Sequence, residues 1–303
     1  MTLFVFNPEH DLCLANGDPN YVPPQSALDF ARRGVGVMKV LYGDDVEVIA
    51  ADDFASWCSG HKDICENIDA IVPWGWDARL KQMLVKQGVK ESLLPTDLYI
   101  KRLREMQHRS TILPLQSAAY CVYKVGDVID LLVDHPRIVL KAPWSGSGRG
   151  LRWVDEKLSE QDESWIRKTV ASQRCVIAEE RYDVKDDFAF EYYVENGLVE
   201  FVGMSFFVTQ SGVYRHNILL PDEAIRSRCG VTPELGRSIK SWLQISIAPY
   251  YNGYLGVDCF STQDGRIVVC EINLRHTMGL VAHRYLERHP ECKGQIWTQD
   301  ITV

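Results

Sequence analysis

Two carboxylates and an amide near the end of the chain, Asp258, Glu271 and Asn273, have the types and spacing of a divalent-metal site. They sit in residues 256–273, GVDCFSTQDGRIVVCEIN. Asp264-Gly265 is a two-residue hairpin signal, because a type I′ turn needs positive φ at both central positions. With those two residues as the loop, Gln263 pairs with Arg266, Phe260 with Val269, Cys259 with Cys270, and Asp258 with Glu271. Asn273 then shares the sheet face of Glu271. Directly opposed carboxylates hold their Cβ atoms about 5 Å apart and repel. The pattern therefore asks for a cation between them, or a proton on one. Mg2+ suits such a site, since it takes few carboxylates and completes its shell with water and phosphate oxygens. The competing reading is a solvent-facing acidic pair. Against it stand the apolar flanks Val257, Phe260, Val268 and Ile272, and the polar run Asn273, Arg275, His276, Thr277. Cys259 and Cys270, on the opposite face, read as buried thiols rather than a disulfide.

A second constellation lies upstream, where residues 138–151 read IVLKAPWSGSGRGL. An apolar strand carries Lys141 into a loop of Ser145, Gly146, Ser147, Gly148, Arg149 and Gly150. Glycines let successive backbone N–H groups turn toward one anion, and Lys141 and Arg149 add positive charge. The loop is neither a Walker A motif nor a dinucleotide fingerprint, since no GK[ST] follows and the glycines are spaced GxGxG. A flexible surface loop explains the glycines equally well. It does not explain a lysine in an apolar strand, because a buried lysine needs a partner.

The elements that would carry these residues fall into two textures. Strand-like runs at 2–6, 46–50 and 70–73 alternate with helical stretches, including 25–33, and predict a parallel α/β unit over residues 1–95. Pro95-Thr96 marks a boundary, with Thr96 or Asp97 capping a helix that holds Lys101, Arg102 and Arg104. Beyond about residue 111 the runs at 119–123, 138–142, 175–179, 188–194, 199–207, 255–260 and 267–272 are separated by glycine turns such as Asn196-Gly197. With a helix over 233–248, this half reads as α+β with antiparallel hairpins, and the last ten residues carry no pattern.

Composition sets the class. The chain has 303 residues, 46% hydrophobic and 24% charged, which is ordinary for a globular protein with a sizeable core. The net charge of −8 and the lack of a basic run disfavour a nucleic-acid partner. Nine cysteines form no CxxC pair, which argues against a zinc ribbon or a secreted disulfide framework. The opening MTLFVFNPEHDL is too soon charged for a signal peptide, and no apolar run reaches the roughly 18 residues of a membrane span. The expectation is a reduced, soluble, cytoplasmic protein without a membrane partner.

The order of a capped helix with Lys101, strand-Lys141-glycine loop, CVIAEE at 175–180, and the hairpin VD…DGR…EIN resembles the ATP-grasp superfamily over about residues 96–285. The run EINLRHTMG resembles its glutamate-x-asparagine-x-arginine signature. Leu274 and His276 stand where prolines are frequent in the family. The resemblance implies an α/β N-terminal domain (1–95) followed by α+β ATP-grasp lobes with antiparallel sheets (96–178 and 179–303). It implies ATP and Mg2+ as cofactors. Lys141 and the loop 145–150 would hold the phosphates, with Lys101 or Arg102 as a second contact. Glu179 and Glu180 would lie at the adenine linker, and Asp187, in preference to Glu191, at the ribose. Asp258, Glu271 and Asn273 would hold Mg2+, and Arg275 would stabilise the transferring phosphoryl group.

Ligands of open α/β sheets bind outside the carboxyl ends of the strands. The loops Asn7–Asp11 and Trp74–Asp77 follow two such ends, which nominates His10, Asp11 and Trp76 for the acceptor substrate. Helix capping by Asp11 or Asp77, and a backbone-bonded His10, are the plain alternatives. Arg215, His216 and Asn217 are candidates for the cavity wall or an ordinary turn, and His283 and His289 read as helix-surface residues. The function expected is a ligase that phosphorylates a small-molecule carboxylate with Mg-ATP and passes the acyl group to an amine-type nucleophile. A small-molecule kinase and a non-catalytic ATP-binding module are the alternatives on the same fold.

Overall fold

The first strand is apolar on both faces, as the centre of a covered parallel sheet requires. In the computed structural model, which describes residues 1–43, 46–61, 67–145 and 150–298, Leu3, Phe4, Val5 and Phe6 are fully buried. They form β1 (Thr2–Phe6), flanked in parallel by β2 (Glu47–Ala50) and β3 (Ala70–Pro73) in the order β2-β1-β3. The helices of this unit are α1 (His10–Asn16), α2 (Gln25–Tyr42), α3 (Phe54–Gly60) and α4 (Ala78–Lys86). The second of these runs nine residues past the Arg33 end that the sequence suggested. Gly34 and Gly36 look like breakers there, yet Val37, Met38 and Val40 continue the buried face. Gly34 is a packing glycine, because a Cβ would lie 2.6 Å from the Phe6 ring.

The next helix, α5 (Asp97–Met106), starts at Thr96, whose Oγ1 accepts from Tyr99 N at 3.2 Å. It leads into an antiparallel sheet of β4 (Ala119–Val122), β5 (Arg137–Lys141), β6 (Leu151–Asp155) and β7 (Val176–Glu180), ordered β4-β7-β5-β6. Two helices, α6 (Val125–Asp134) and α7 (Glu160–Gln173), cover one face over a core that includes Val128, Ile138, Leu140, Val154 and Ile166. A unit edge between 178 and 179 falls inside β7, whose end carries Glu179 and Glu180.

The third sheet is antiparallel, with strands β8 (Val184–Glu195), β9 (Leu198–Gln210), β10 (Val213–Ile218), β11 (Gly253–Thr262), β12 (Ile267–Asn273) and β13 (Ile296–Trp297). Their order is β12-β11-β8-β9-β10-β13, and α8 (Asp222–Cys229), α9 (Pro233–Ser246) and α10 (Met278–Arg288) pack on it. Asn196 and Gly197 both have positive φ, so the β8–β9 turn is the two-residue kind expected. The last strand came from patternless sequence; Trp297 is buried there among residues of α2 and α10.

The β11–β12 hairpin corrects the sequence-based register in part. Its loop has three residues, Gln263-Asp264-Gly265, closed by Thr262 N to Arg266 O at 2.9 Å, with Gly265 at φ +83°. Phe260 therefore faces Val268, and Cys259 faces Val269, each one residue short of the expected partner. A bulge between Asp258 and Cys259 then absorbs Cys270 and restores the offset, so Asp258 does face Glu271. Cys270 consequently does not oppose Cys259. It lines a cavity, while Cys259 is buried in the core, and both thiols are free.

Candidate active site

A cavity of about 750 Å³ is walled by residues of the second and third sheets and by the segments that follow the strands of the first. Strand alternation explains which side chains reach it. On β5, Ile138 and Leu140 are core while Val139 and Lys141 face the cavity. On β8 the cavity-facing residues are Val184, Asp187, Ala189 and Glu191. On β12 the bulge turns both Cys270 and Glu271 toward it, with Val269 and Ile272 left in the core.

The buried lysine has the partner its position demands: Lys141 Nζ lies 2.7 Å from Glu179 Oε2. Burial works against the lysine's charge, and the carboxylate more than restores it, so its pKa rises. A buried guanidinium that the sequence did not single out sits beside this pair. Arg109 Nη1 donates to Ala142 O at 2.6 Å and Ser145 Oγ at 2.7 Å. Its Nη2 donates to Ser145 O at 3.1 Å and Glu271 Oε1 at 2.7 Å. Arg109 thus ties the stem of the glycine loop to one of the paired carboxylates. In sequence it is a lone arginine in QHRSTILP, with no pattern to mark it as buried.

Asp258 and Glu271 face each other as expected. Asn273 Nδ2 donates to Asp258 Oδ2 at 2.9 Å. Burial, then the charges of Glu271 and Glu191, push the Asp258 carboxyl up to about 8. Among the described residues neither Asp258 Oδ1 nor Glu271 Oε2 has a hydrogen-bond donor, and no group of three or more His, Cys, Asp or Glu is arranged for a metal ion. Two hard carboxylates, one of them destabilised by the other's charge, fit a cation that takes its remaining ligands from water or phosphate. Asn273 fits less simply, because its oxygen accepts from Arg275 Nη2 at 3.0 Å. It could ligate only if its amide turned or Arg275 gave way.

Arg275 is a clamp. Its Nε and Nη2 hold Asp11 Oδ1 and Oδ2 at 2.9 and 2.8 Å, and Nη1 donates to His276 O at 3.0 Å. Burial pushes the Asp11 carboxyl up, and this bidentate pairing more than reverses it, leaving its pKa lowered. Asp11 therefore reaches the cavity from α1, the helix that follows β1. Next to it, His276 is buried against Tyr42, whose hydroxyl lies 2.7 Å from Nε2, and burial holds the imidazole down to about 4.

Ser145, Glu179, Glu180 and Asp187 also line the cavity. Asp187 accepts from Thr209 Oγ1 at 2.7 Å, and burial raises its pKa. Glu191 accepts from Ser205 Oγ at 2.9 Å and Thr277 Oγ1 at 2.8 Å, and burial pushes it up to about 7. Gly150, at φ +81°, closes the loop base by accepting from Ala142 N at 2.9 Å. Gly146, Ser147, Gly148 and Arg149, expected at the phosphates, lie outside the described residues.

Other candidates are placed elsewhere. Lys101 is exposed on α5 and does not line the cavity, and neighbouring Arg102 stacks on Tyr250 at 4.4 Å. His10 is fully buried between Asp77 and Gln107, so it braces the two loops instead of facing a ligand. Trp76 packs between two cores, and it is Trp74 that reaches the cavity. Arg215 lines the wall, whereas Asn217 is buried against Tyr214 and Phe206. His283 was expected on the helix surface but is wedged against Gly203; His289 is half-buried after α10. Glu9 and Tyr182 join the lining without having been singled out.

No family model matches the sequence, and no curated protein matches it. Similarity appears at the level of structure. N5-carboxyaminoimidazole synthetase from Staphylococcus aureus, complexed with ADP, matches with a TM-score of 0.54 at 13% identity, over 94% of this chain and 76% of that one. The biotin carboxylase domain of Hydrogenobacter thermophilus 2-oxoglutarate carboxylase, with MgADP, ADP and bicarbonate, matches at 0.54 and 12%, over 99% and 72%. D-alanyl-alanine synthetase A from Vibrio cholerae matches at 0.51 and 15%, over 95% and 93%. These proteins have the ATP-grasp fold, and so does this chain.

Proposed function

We propose that the chain is an ADP-forming ligase that phosphorylates a small-molecule carboxylate with Mg-ATP and transfers the acyl group to an amine or similar nucleophile. The observation that carries this reading is the convergence of Lys141, Arg109 and Arg275 with the opposed Asp258 and Glu271 on one cavity. Phosphoryl transfer needs chiefly positioning and charge neutralisation, and these groups supply both. Two of the similar structures hold ADP or MgADP, which supports the same ligand here.

In this reading Lys141, Ser145 and the glycine loop hold the phosphates, Glu179 and Glu180 flank the adenine, and Asp187 receives the ribose. Mg2+ would be held by Asp258 and Glu271, with Asn273 beside them, and would supply neutralisation of the phosphate charge. Arg275 orients the transferring group through a fork that a lysine could not reproduce. The reading takes residues 1–95 as the acceptor-side unit, 96–178 as the glycine-loop lobe and 179–303 as the metal-bearing lobe. It also places the chain in a reducing cytoplasm. The described cysteines are free, and no described helix is long and apolar enough to cross a membrane.

The test is ADP release from Mg-ATP against pooled amino acids, short peptides and other carboxylic acids. Glu271→Gln should lower that turnover by about 100-fold or more, beyond the usual effect of losing a metal ligand's supporting partner. Full turnover in a folded Glu271→Gln protein would refute the site.

A further inference from the structure

We infer that the part of the cavity walled by the loops after β1 and β3 is a subsite for a primary ammonium group on an apolar body, received by the Glu9 carboxylate. The inference rests on the ligase reading and narrows its nucleophile to an amine that carries no anion beside the amino group.

Glu9 follows Pro8 directly after β1. It is 2% exposed and lines the cavity, and its side chain makes no capping bond to α1. Oε1 accepts from Arg79 Nη1 at 3.0 Å, while Oε2 is buried with no partner among the described residues. Arg79 is also the partner of Asp52, through Nη2. One guanidinium therefore serves two carboxylates, and one negative charge remains at the cavity wall. Burial pushes Glu9 up to about 7 in spite of Arg79. A buried carboxylate oxygen without a partner is costly, and a cation at Oε2 would relieve that cost.

The surroundings favour hydrocarbon on the ligand. Leu12, Ala27, Phe30, Trp74 and Met278 line this part of the cavity. Three guanidinium groups nearby are committed, Arg79 to Glu9 and Asp52, Arg275 to Asp11 in a bidentate pair, and Arg109 to Glu271. A carboxylate or phosphate on the nucleophile would meet acidic groups and paired arginines. An alkylammonium would meet a buried acceptor oxygen that lacks a partner, beside apolar walls.

The experiment measures binding of n-butylammonium, butyrate and 1-butanol to the full-length protein at pH 8, by saturation-transfer NMR and calorimetry, with and without MgADP. Butylammonium should bind at least about tenfold more tightly than either control, the scale of one hydrogen bond to a charged group. Glu9→Gln should weaken it by a similar factor. Asp52→Asn should weaken it too, because Arg79 then belongs wholly to Glu9, although Asp52 is no part of the cavity lining. This second variant keeps the test alive if Glu9→Gln does not fold. Butylammonium binding no better than butyrate, or unchanged in the folded variants, would overturn the subsite. MgADP binding in the same samples reports on the nucleotide reading separately. If wild-type protein binds butylammonium but not MgADP, the ligase reading fails and the ammonium subsite stands.

Discussion

Asp258 holds its proton to about pH 8, because burial strips water from its carboxyl and Glu271 and Glu191 add negative charge nearby. Between its ordinary value of 3.8 and about 8, the folded state binds this proton more tightly than the unfolded chain. Stability must then fall as pH rises through that window. Glu9 and Glu191, each pushed up to about 7, act in the same direction. In metal-free protein, thermal midpoints should therefore decrease from pH 6 to pH 8.5, and Asp258→Asn should flatten the slope without abolishing it. Mg2+ acts on the same proton. Its binding with ADP at pH 7 should release protons, visible as a buffer-dependent heat in calorimetry, and Asp258→Asn should reduce that release. A wild-type heat that does not vary with buffer ionisation enthalpy would show that the metal does not meet Asp258.

Among elements, the β11–β12 hairpin shows what sequence could and could not specify. Asp264-Gly265 marked the turn, but three-residue and two-residue loops share that dipeptide, and the loop added one residue. The bulge at Cys270 removed the error before it reached Asp258 and Glu271, so the functional pair was legible although the three flanking pairings were not. Such pairs stand out because they violate local rules: opposed carboxylates, or a lysine in an apolar strand. Arg109 and Glu9 violate none. Arg109 is buried by Glu271, 162 residues away, and nothing local announces that contact. The second helix failed for the opposite reason, since Gly34 reads as a breaker until Phe6 is seen beside it. Gly34→Ala gains helix propensity but forces a methyl against that ring. Overpacking should win, with a net loss of about 1–2 kcal/mol in chemical denaturation. A stabilised Gly34→Ala protein would show that the β1–α2 contact is looser than the 2.6 Å approach implies.

For the molecule as a whole, no single sheet holds the site. The helix after β1 of the first supplies Asp11, the second supplies Lys141 and Glu179, and the third supplies Asp258, Glu271 and Asn273, with Arg275 just beyond β12. Two arginines already tie these units together: Arg275 reaches Asp11 across 264 residues, and Arg109 joins the loop stem to β12. A ligand spanning the cavity should therefore stabilise the chain as one unit and raise a single transition. Saturation at about 100 times Kd contributes roughly 2.7 kcal/mol, which for a chain this long shifts the midpoint by on the order of 5 °C. The carboxylate pair makes the shift metal-dependent, because ADP phosphates alone would bring more negative charge to Asp258 and Glu271. MgADP should give the full shift in differential scanning calorimetry, and ADP with EDTA should give little of it. Glu271→Gln should lose the difference between the two conditions. If ADP with EDTA stabilised the protein as well as MgADP does, the nucleotide would be held without the metal, and the opposed carboxylates would need another explanation.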